Sequence, residues 1–124
     1  METGLKYTST LTVTEKHLAA NVGSGDLPVL ATPAMMALME NAAMLAVCGA
    51  LDEGQTTVGG QINSSHLRPT PLGATVTATA ELTAVEGRKL TFRVTASDAH
   101  GVIGEGSHLR FIVDAERFMS KVGG

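Results

Sequence analysis

Between Leu5 and Val13 the apolar residues Leu5, Tyr7, Leu11 and Val13 fall on odd positions, with Lys6, Thr8, Thr10 and Thr12 between them. That period-two alternation predicts a half-buried strand. The period then disappears. From Glu15 to Leu30 the chain carries Gly23, Gly25 and Pro28 and no repeat, which predicts a loop with one helical turn in it. A connection of about sixteen residues is long for a compact domain, and loops of that length often carry function. At Thr32-Pro33 the pattern changes again: threonine suits an N-cap, and proline suits the first helical position because its missing N–H would be unpaired there anyway. The run Pro33 to Leu51 is almost wholly Ala, Met, Leu and Val before Asp52-Glu53-Gly54 interrupts it. It predicts a helix roughly 28 Å long at about 1.5 Å per residue. With no polar face, that helix has to be enclosed by a sheet, by a second subunit, or by both.

Everything after Gly54 reads as strand. Val58, Gly60, Ile62, Ser64 and His66 share one face of the first; Val76, Ala78, Ala80, Leu82 and Ala84 form an apolar row in the second, with Thr75, Thr77, Thr79, Glu81 and Thr83 opposite. Leu90, Phe92, Val94 and Ala96 repeat the row after a Glu86-Gly87-Arg88 turn, and a last strand runs from Val102 to Val113 after Asp98-Ala99-His100-Gly101. Strands joined by short turns are antiparallel neighbours. Asp114 to Val122 reads as one or two helical turns capped by Asp114, with Phe118 packing back. The predicted class is α+β, residues 1–124 forming one domain with one buried helix and a five-stranded antiparallel sheet. Such a unit leaves a strand edge and part of the helix bare, and a dimer through both would cover them.

Composition sharpens this picture by exclusion. Hydrophobic residues make up 44% of the 124 and charged ones 17%, which is the profile of a folded domain rather than a disordered segment. The formal charge of −3 gives no footprint for nucleic acid or an anionic membrane. The single cysteine, Cys48, excludes an intrachain disulfide and a cysteine zinc cluster, which fits a reducing, cytoplasmic compartment. No basic segment followed by an apolar run opens the chain, and Leu27–Leu51 is interrupted by Thr32, Pro33, Glu40 and Asn41, so neither export nor a membrane span is expected.

Candidate chemistry lies where polar residues interrupt apolar ones. Glu40 stands among Met36, Leu38, Met39, Ala43 and Met44. A carboxylate there either occupies a solvated stripe with Asn41 or is held in the interior for a function, since burial without a partner costs kilocalories. Thr32, eight residues earlier, is either a plain cap or part of a site at the helix N-terminus, where free N–H groups and the dipole can hold an oxyanion. Eight residues separate the two by about 12 Å along the axis and roughly 80° around it. To serve one site they need a substrate that spans them or a second copy of the helix. His66 ends its strand ahead of Arg68-Pro69-Thr70-Pro71 as a structural or a catalytic histidine. His17, His100 and His108 fall in a loop, a turn and a strand, and no pair has helical zinc-ligand spacing. Gly59-Gly60 inside a strand predicts a bulge or the close approach of backbone or ligand, and Gly104 and Gly106 suggest the same. Cys48 and the methionines read as packing.

Ala31-Thr32-Pro33-Ala34-Met35, Leu38-Met39-Glu40, Val58-Gly59, Ser65-His66, Thr70-Pro71-Leu72-Gly73, Leu90-Thr91-Phe92 and Gly104-Glu105-Gly106-Ser107-His108 together resemble the fluoroacetyl-CoA thioesterase branch of the hot-dog thioesterases, in an order and spacing that span most of the chain. The resemblance, with the element order, implies a hot-dog fold: one long helix wrapped by the sheet. It also implies a homodimer that hydrolyses an acyl-CoA thioester with Thr32, Glu40 and His66, coenzyme A being part of the substrate and no separate cofactor or metal being needed. Gly59 is expected to line the acyl pocket with Gly60 beside it. Arg110 is expected on the substrate, and Arg68, Arg88, Lys89 or Arg110 against the coenzyme phosphates. The family's aromatic lid has no counterpart, because Glu15–Leu30 holds no Phe, Tyr or Trp; a broader or different small acyl group is expected. Hydratase or dehydratase chemistry, and a non-catalytic acyl-CoA binding module, are the alternative readings on the same fold.

Overall fold

The computed structural model, which describes residues 1–124, lays out five strands, β1 (Lys6–Thr12), β2 (Gln55–His66), β3 (Thr75–Glu86), β4 (Lys89–Asp98) and β5 (Gly101–Asp114). Three helices join them: α1 (Ala19–Val22), α2 (Thr32–Cys48) and α3 (Ala115–Ser120). The sheet is antiparallel throughout in the order β1-β3-β4-β5-β2 and wraps α2, which is the hot-dog arrangement. The two tight turns make β3, β4 and β5 consecutive neighbours, as short connections require. The strand β2 departs from that rule. Leu67–Ala74 carries the chain away from it, so β2 pairs with β5 and closes one edge of the sheet while β1 closes the other.

The core is the seam between α2 and the sheet. Met35, Met39, Ala42, Ala43 and Val47 of the helix are fully buried against Val76, Ala78, Ala80 and Leu82 of β3 and Leu90, Phe92, Val94 and Ala96 of β4. Alternating small and medium side chains on the strands let the helix lie close, and the one large aromatic, Phe92, fills what they leave. The helix is covered on one side only: Ala37, Asn41 and Cys48 are exposed, so Cys48 is not a packing residue. No helix is long and apolar enough to cross a membrane.

The glycine pair shifts the register of β2 against β5 between Gly59 and Gln61. The extra residue changes which side chains share a face. Gly59, not Gly60, lies on the inward face that Ile62, Ser64 and His66 continue, and the predicted row Val58-Gly60-Ile62 does not exist. Gly60 instead faces the Phe111 ring, which a Cβ there would strike, so its smallness serves packing on the side away from Glu40. Gly104 lies against Met35 and the Ser65 carbonyl, and Gly106 against the Asn63 carbonyl, the close backbone approaches that strand glycines permit.

Candidate active site

Thr32 is the first residue of α2, but Ala31 is its N-cap and no side chain caps the helix. The predicted capping role of Thr32 is therefore corrected. Its hydroxyl, relieved of the helix end, lies 2.7 Å from Nδ1 of His66. His66 is delivered there as the last residue of β2, where Leu67 still donates to the Ile103 carbonyl before Pro69 and Pro71 end the strand. The other imidazole nitrogen, Nε2, is buried and has no hydrogen-bond partner of good geometry. Burial lowers the His66 pKa below 6.5, with the Arg68 backbone partly opposing it, so at neutral pH the ring is uncharged. A cavity of about 260 Å³ adjoins the pair, lined among others by Ser24, Val29, Leu30, Arg68 and Pro69.

Glu40 lies two turns further along α2 and is half-buried. Its Oε2 is 3.0 Å from the point a Cβ on Gly59 would occupy, with His108 Cε1 3.5 Å and Arg110 Nη1 3.6 Å from the same point. Three polar side chains thus converge over the inward glycine of β2. Replacing Gly59 by alanine puts a methyl group into that space. The expected outcome is a loss of about tenfold or more in kcat with the melting temperature little changed, because the collision is with a mobile carboxylate rather than backbone. Turnover equal to wild type would show that nothing needs the space.

Arg110 is not where a coenzyme phosphate would meet it. Buried at 7% exposure, it donates from Nε to Thr57 Oγ1 at 2.8 Å and from Nη2 to the Thr57 carbonyl at 2.9 Å. His108, 1% exposed, completes the holder. Its Nδ1 is 2.7 Å from the Gln61 carbonyl, which only accepts, so Nδ1 carries the proton and Nε2 is left to accept from Arg110 Nη1 at 3.2 Å. Burial and the neighbouring guanidinium keep the His108 pKa low, against the opposing influences of the Gln61 hydrogen bond and Glu40. The result is a guanidinium fixed by three acceptors beside the Glu40 carboxylate.

Sequence reading passed over His108 and Thr57. The signal was present: His108, Arg110 and Ile112 alternate onto the inward face of β5, and two polar residues in a row on a core face need partners.

Within one chain, then, Thr32 meets His66, while Glu40 and Arg110 border the same space over Gly59. No hydrogen bond or ion pair joins Glu40 to either member of the first pair. The helical offset keeps Thr32 and Glu40 about 12 Å apart along α2, and along β2 Gly59 and His66 are separated by roughly 20 Å at about 3.3 Å per residue. The strand that carries both glycine and histidine is one of the two edges of the sheet.

Comparison with known proteins identifies the family and the fold. The family model described as fluoroacetyl-CoA-specific thioesterase matches residues 13–116. The fluoroacetyl-CoA thioesterase of Streptantibioticus cattleyicolor is 45% identical over 94 residues, covering 76% of this chain and 68% of that protein. Among solved structures, a variant of the fluoroacetyl-CoA thioesterase FlK in complex with acetyl-CoA superposes with a TM-score of 0.93 at 35% identity, over 98% of this chain and 96% of that one. A hot-dog-like protein from Thermanaerovibrio acidaminovorans gives a TM-score of 0.86 at 25% identity, over 100% of this chain and 95% of that one.

Proposed function

Since the chain belongs to the fluoroacetyl-CoA-specific thioesterase family, we propose that it hydrolyses the thioester of a small acyl-CoA, releasing the free acid and coenzyme A, with Thr32, Glu40 and His66 as its catalytic residues. The observation that carries the reading is the Thr32–His66 contact of 2.7 Å, with the far imidazole nitrogen buried and unpartnered. A neutral histidine oriented by a hydroxyl is the form a general base takes. The first-turn N–H groups of α2 and its dipole supply an electropositive cradle for the carbonyl oxygen. Glu40 supplies the carboxylate at the reacting carbon, either adding to it or drawing a proton from the water that adds. In both routes the C–S bond breaks with its electron pair on sulfur. A thiol of pKa about 8.5 leaves readily as thiolate and takes up a proton afterwards.

Two copies of the chain complete this site. Antiparallel pairing of two β2 edges about a two-fold axis near Ile62 and Asn63 sets the Gly59 end of one strand against the His66 end of the other, since those positions are equally far from the axis. Glu40 and Arg110 of one copy then face Thr32 and His66 of the other, and the dimer holds two such sites. The acyl group rests over Gly59. With no aromatic residue in Glu15–Leu30 to close over it, the enzyme accepts small acyl groups without demanding fluorine.

A thiol-release screen across short, branched, halogenated and aromatic acyl-CoAs tests the activity, with Glu40→Gln as the control. Free thiol is expected with the small acyl groups and its loss in the control. A changing enoyl absorbance with no thiol would replace hydrolysis by hydration. The pH profile tests the histidine. His66 must be neutral to act, and its pKa lies below 6.5, so kcat/KM is expected to fall only as the pH drops through a midpoint under that value. A kcat/KM with no acid-side fall would take His66 out of the base role.

A further inference from the structure

Thr70 is a fully buried hydroxyl that neither half of the site uses. It belongs to Leu67–Ala74, the segment that leaves β2 directly after His66. A buried hydroxyl needs a partner, and this one donates from Oγ1 to Asp98 Oδ2 at 2.9 Å. The other carboxylate oxygen, Oδ1, accepts the backbone N–H of His100 at 2.8 Å, and the His100 carbonyl accepts from Arg68 Nη1 at 2.9 Å. Arg68 and Thr70 therefore grip the turn between β4 and β5 at two points, through His100 and Asp98. The His100 N–H holds the Asp98 carboxyl below its usual range, against the opposing influence of burial, and the Thr70 hydroxyl and the charges of Arg68 and His100 add to it. The acceptor is thus ionised at neutral pH, which strengthens the bond from Thr70.

The backbone of Thr70 faces the other way. Its carbonyl accepts the N–H of Leu30 at 2.9 Å, and Val29 and Pro71 form a bridge beside that bond. The next N–H, that of Ala31, donates to the His17 carbonyl, and α2 begins at the following residue, Thr32. Thr70 is thereby bonded to the arm that ends in Thr32 while it belongs to the arm that starts from His66, and its side chain fixes the junction to β4. The contact that these two arms bring together is 2.7 Å long. A misplacement of about 1 Å at a reacting group can cost about a hundredfold in rate, so the junction has to be stiff.

We propose that Thr70, anchored by Asp98, is a positioning residue that holds the Thr32 arm against the His66 arm and so keeps the contact between hydroxyl and imidazole. Its effect on turnover rests on the hydrolytic reading above; its effect on the imidazole does not.

The test uses Thr70→Val, which removes the hydroxyl at nearly constant volume, and Asp98→Ala, which removes the acceptor at a partly exposed position. Each is expected to lower kcat for a small acyl-CoA about tenfold or more with KM little changed. The double variant is expected to lose no more than the worse single one, because both cut the same bond, and Thr70→Ser, which keeps the hydroxyl, to restore kcat. The second measurement is the His66 ring in long-range 1H–15N spectra, with Thr32→Ala supplying the signature of an imidazole without its hydroxyl. In Thr70→Val and Asp98→Ala the Nδ1 resonance is expected to move toward that signature, and in Thr70→Ser to stay at the wild-type position. A wild-type Nδ1 resonance in both variants overturns the proposal, whatever happens to their melting temperatures, and if Thr70→Val does not fold, Asp98→Ala decides alone. If wild type releases no thiol from any acyl-CoA, the hydrolytic reading fails, and the spectra by themselves decide this one: a moved resonance supports it and an unmoved one overturns it.

Discussion

Mixing a Glu40→Gln protein with a His66→Ala protein, each inactive alone, and allowing subunits to exchange is expected to restore about a quarter of wild-type turnover. Random exchange makes half of the dimers mixed. In a mixed dimer one site receives both substitutions and the other receives neither, so half of the sites in half of the dimers work. Each parent is expected to lose about a thousandfold or more, because a positioned base and a carboxylate at the reacting carbon act together and neither replaces the other. The recovery depends on where the structure puts the two pairs, at separate places on the edge strand of one chain. Turnover that stays at parental levels after verified exchange would mean that each chain builds its site alone, and the two-fold arrangement would have to be given up.

Phe92→Ala is expected to cost about 3–5 kcal/mol of stability and to lower the melting temperature by roughly 10–20 °C. Phe92 is fully buried and is the largest such side chain in a core otherwise built from Ala, Val, Leu, Ile and Met. Its neighbours on β4, Leu90 and Val94, are fixed by sheet pairing to β3 and β5, so the vacated volume has little means of collapsing. The ring also lies beside His108, with centroids 6.1 Å apart and planes tilted by 32°. Loosening that contact frees the imidazole that holds Arg110, so turnover measured well below the new melting temperature is expected to fall as well. Thermal and chemical denaturation together with steady-state kinetics check both parts. A loss under about 1 kcal/mol would show that the core repacks around the gap.

Much of this fold was legible before any coordinates. Periodicity located all five strands and α2 because apolar rows such as Val76-Ala78-Ala80-Leu82 bury on one face, and the strands are long enough for the alternation to stand out. The partner of β2 was not legible. Alternation tells which face of a strand is inward and is silent about which strand lies beside it, and the proline-rich Leu67–Ala74 segment admits a crossover as readily as a hairpin. The bulge was anticipated from Gly59-Gly60, yet its effect on phase was not, since one extra residue moves every following side chain to the opposite face. At the site, the oddness of Glu40 in an apolar helix was visible, and so was His66 as a strand-ending residue. Their partners are not: the spacing leaves Thr32 as either a cap or a site residue, and the expectation of Arg110 on the substrate says nothing of His108 and Thr57, which only the fold brings against its guanidinium.

The crossover that sends β2 to the far side of the sheet also sets an order of assembly. Strands β3, β4 and β5 are joined by tight turns and pair with their sequence neighbours, whereas β1 must find β3 and β2 must find β5 across long stretches of chain. Loop-closure entropy penalises the distant pairings, so the three-stranded meander closes first and the outer strands are recruited afterwards. Pulse-labelled hydrogen exchange should accordingly find the β4 amides protected ahead of those in β2, and simultaneous protection would argue for one concerted step. The strand bearing both Gly59 and His66 is then a late arrival, and a newly made chain has a finished core before it has anything with which to do chemistry.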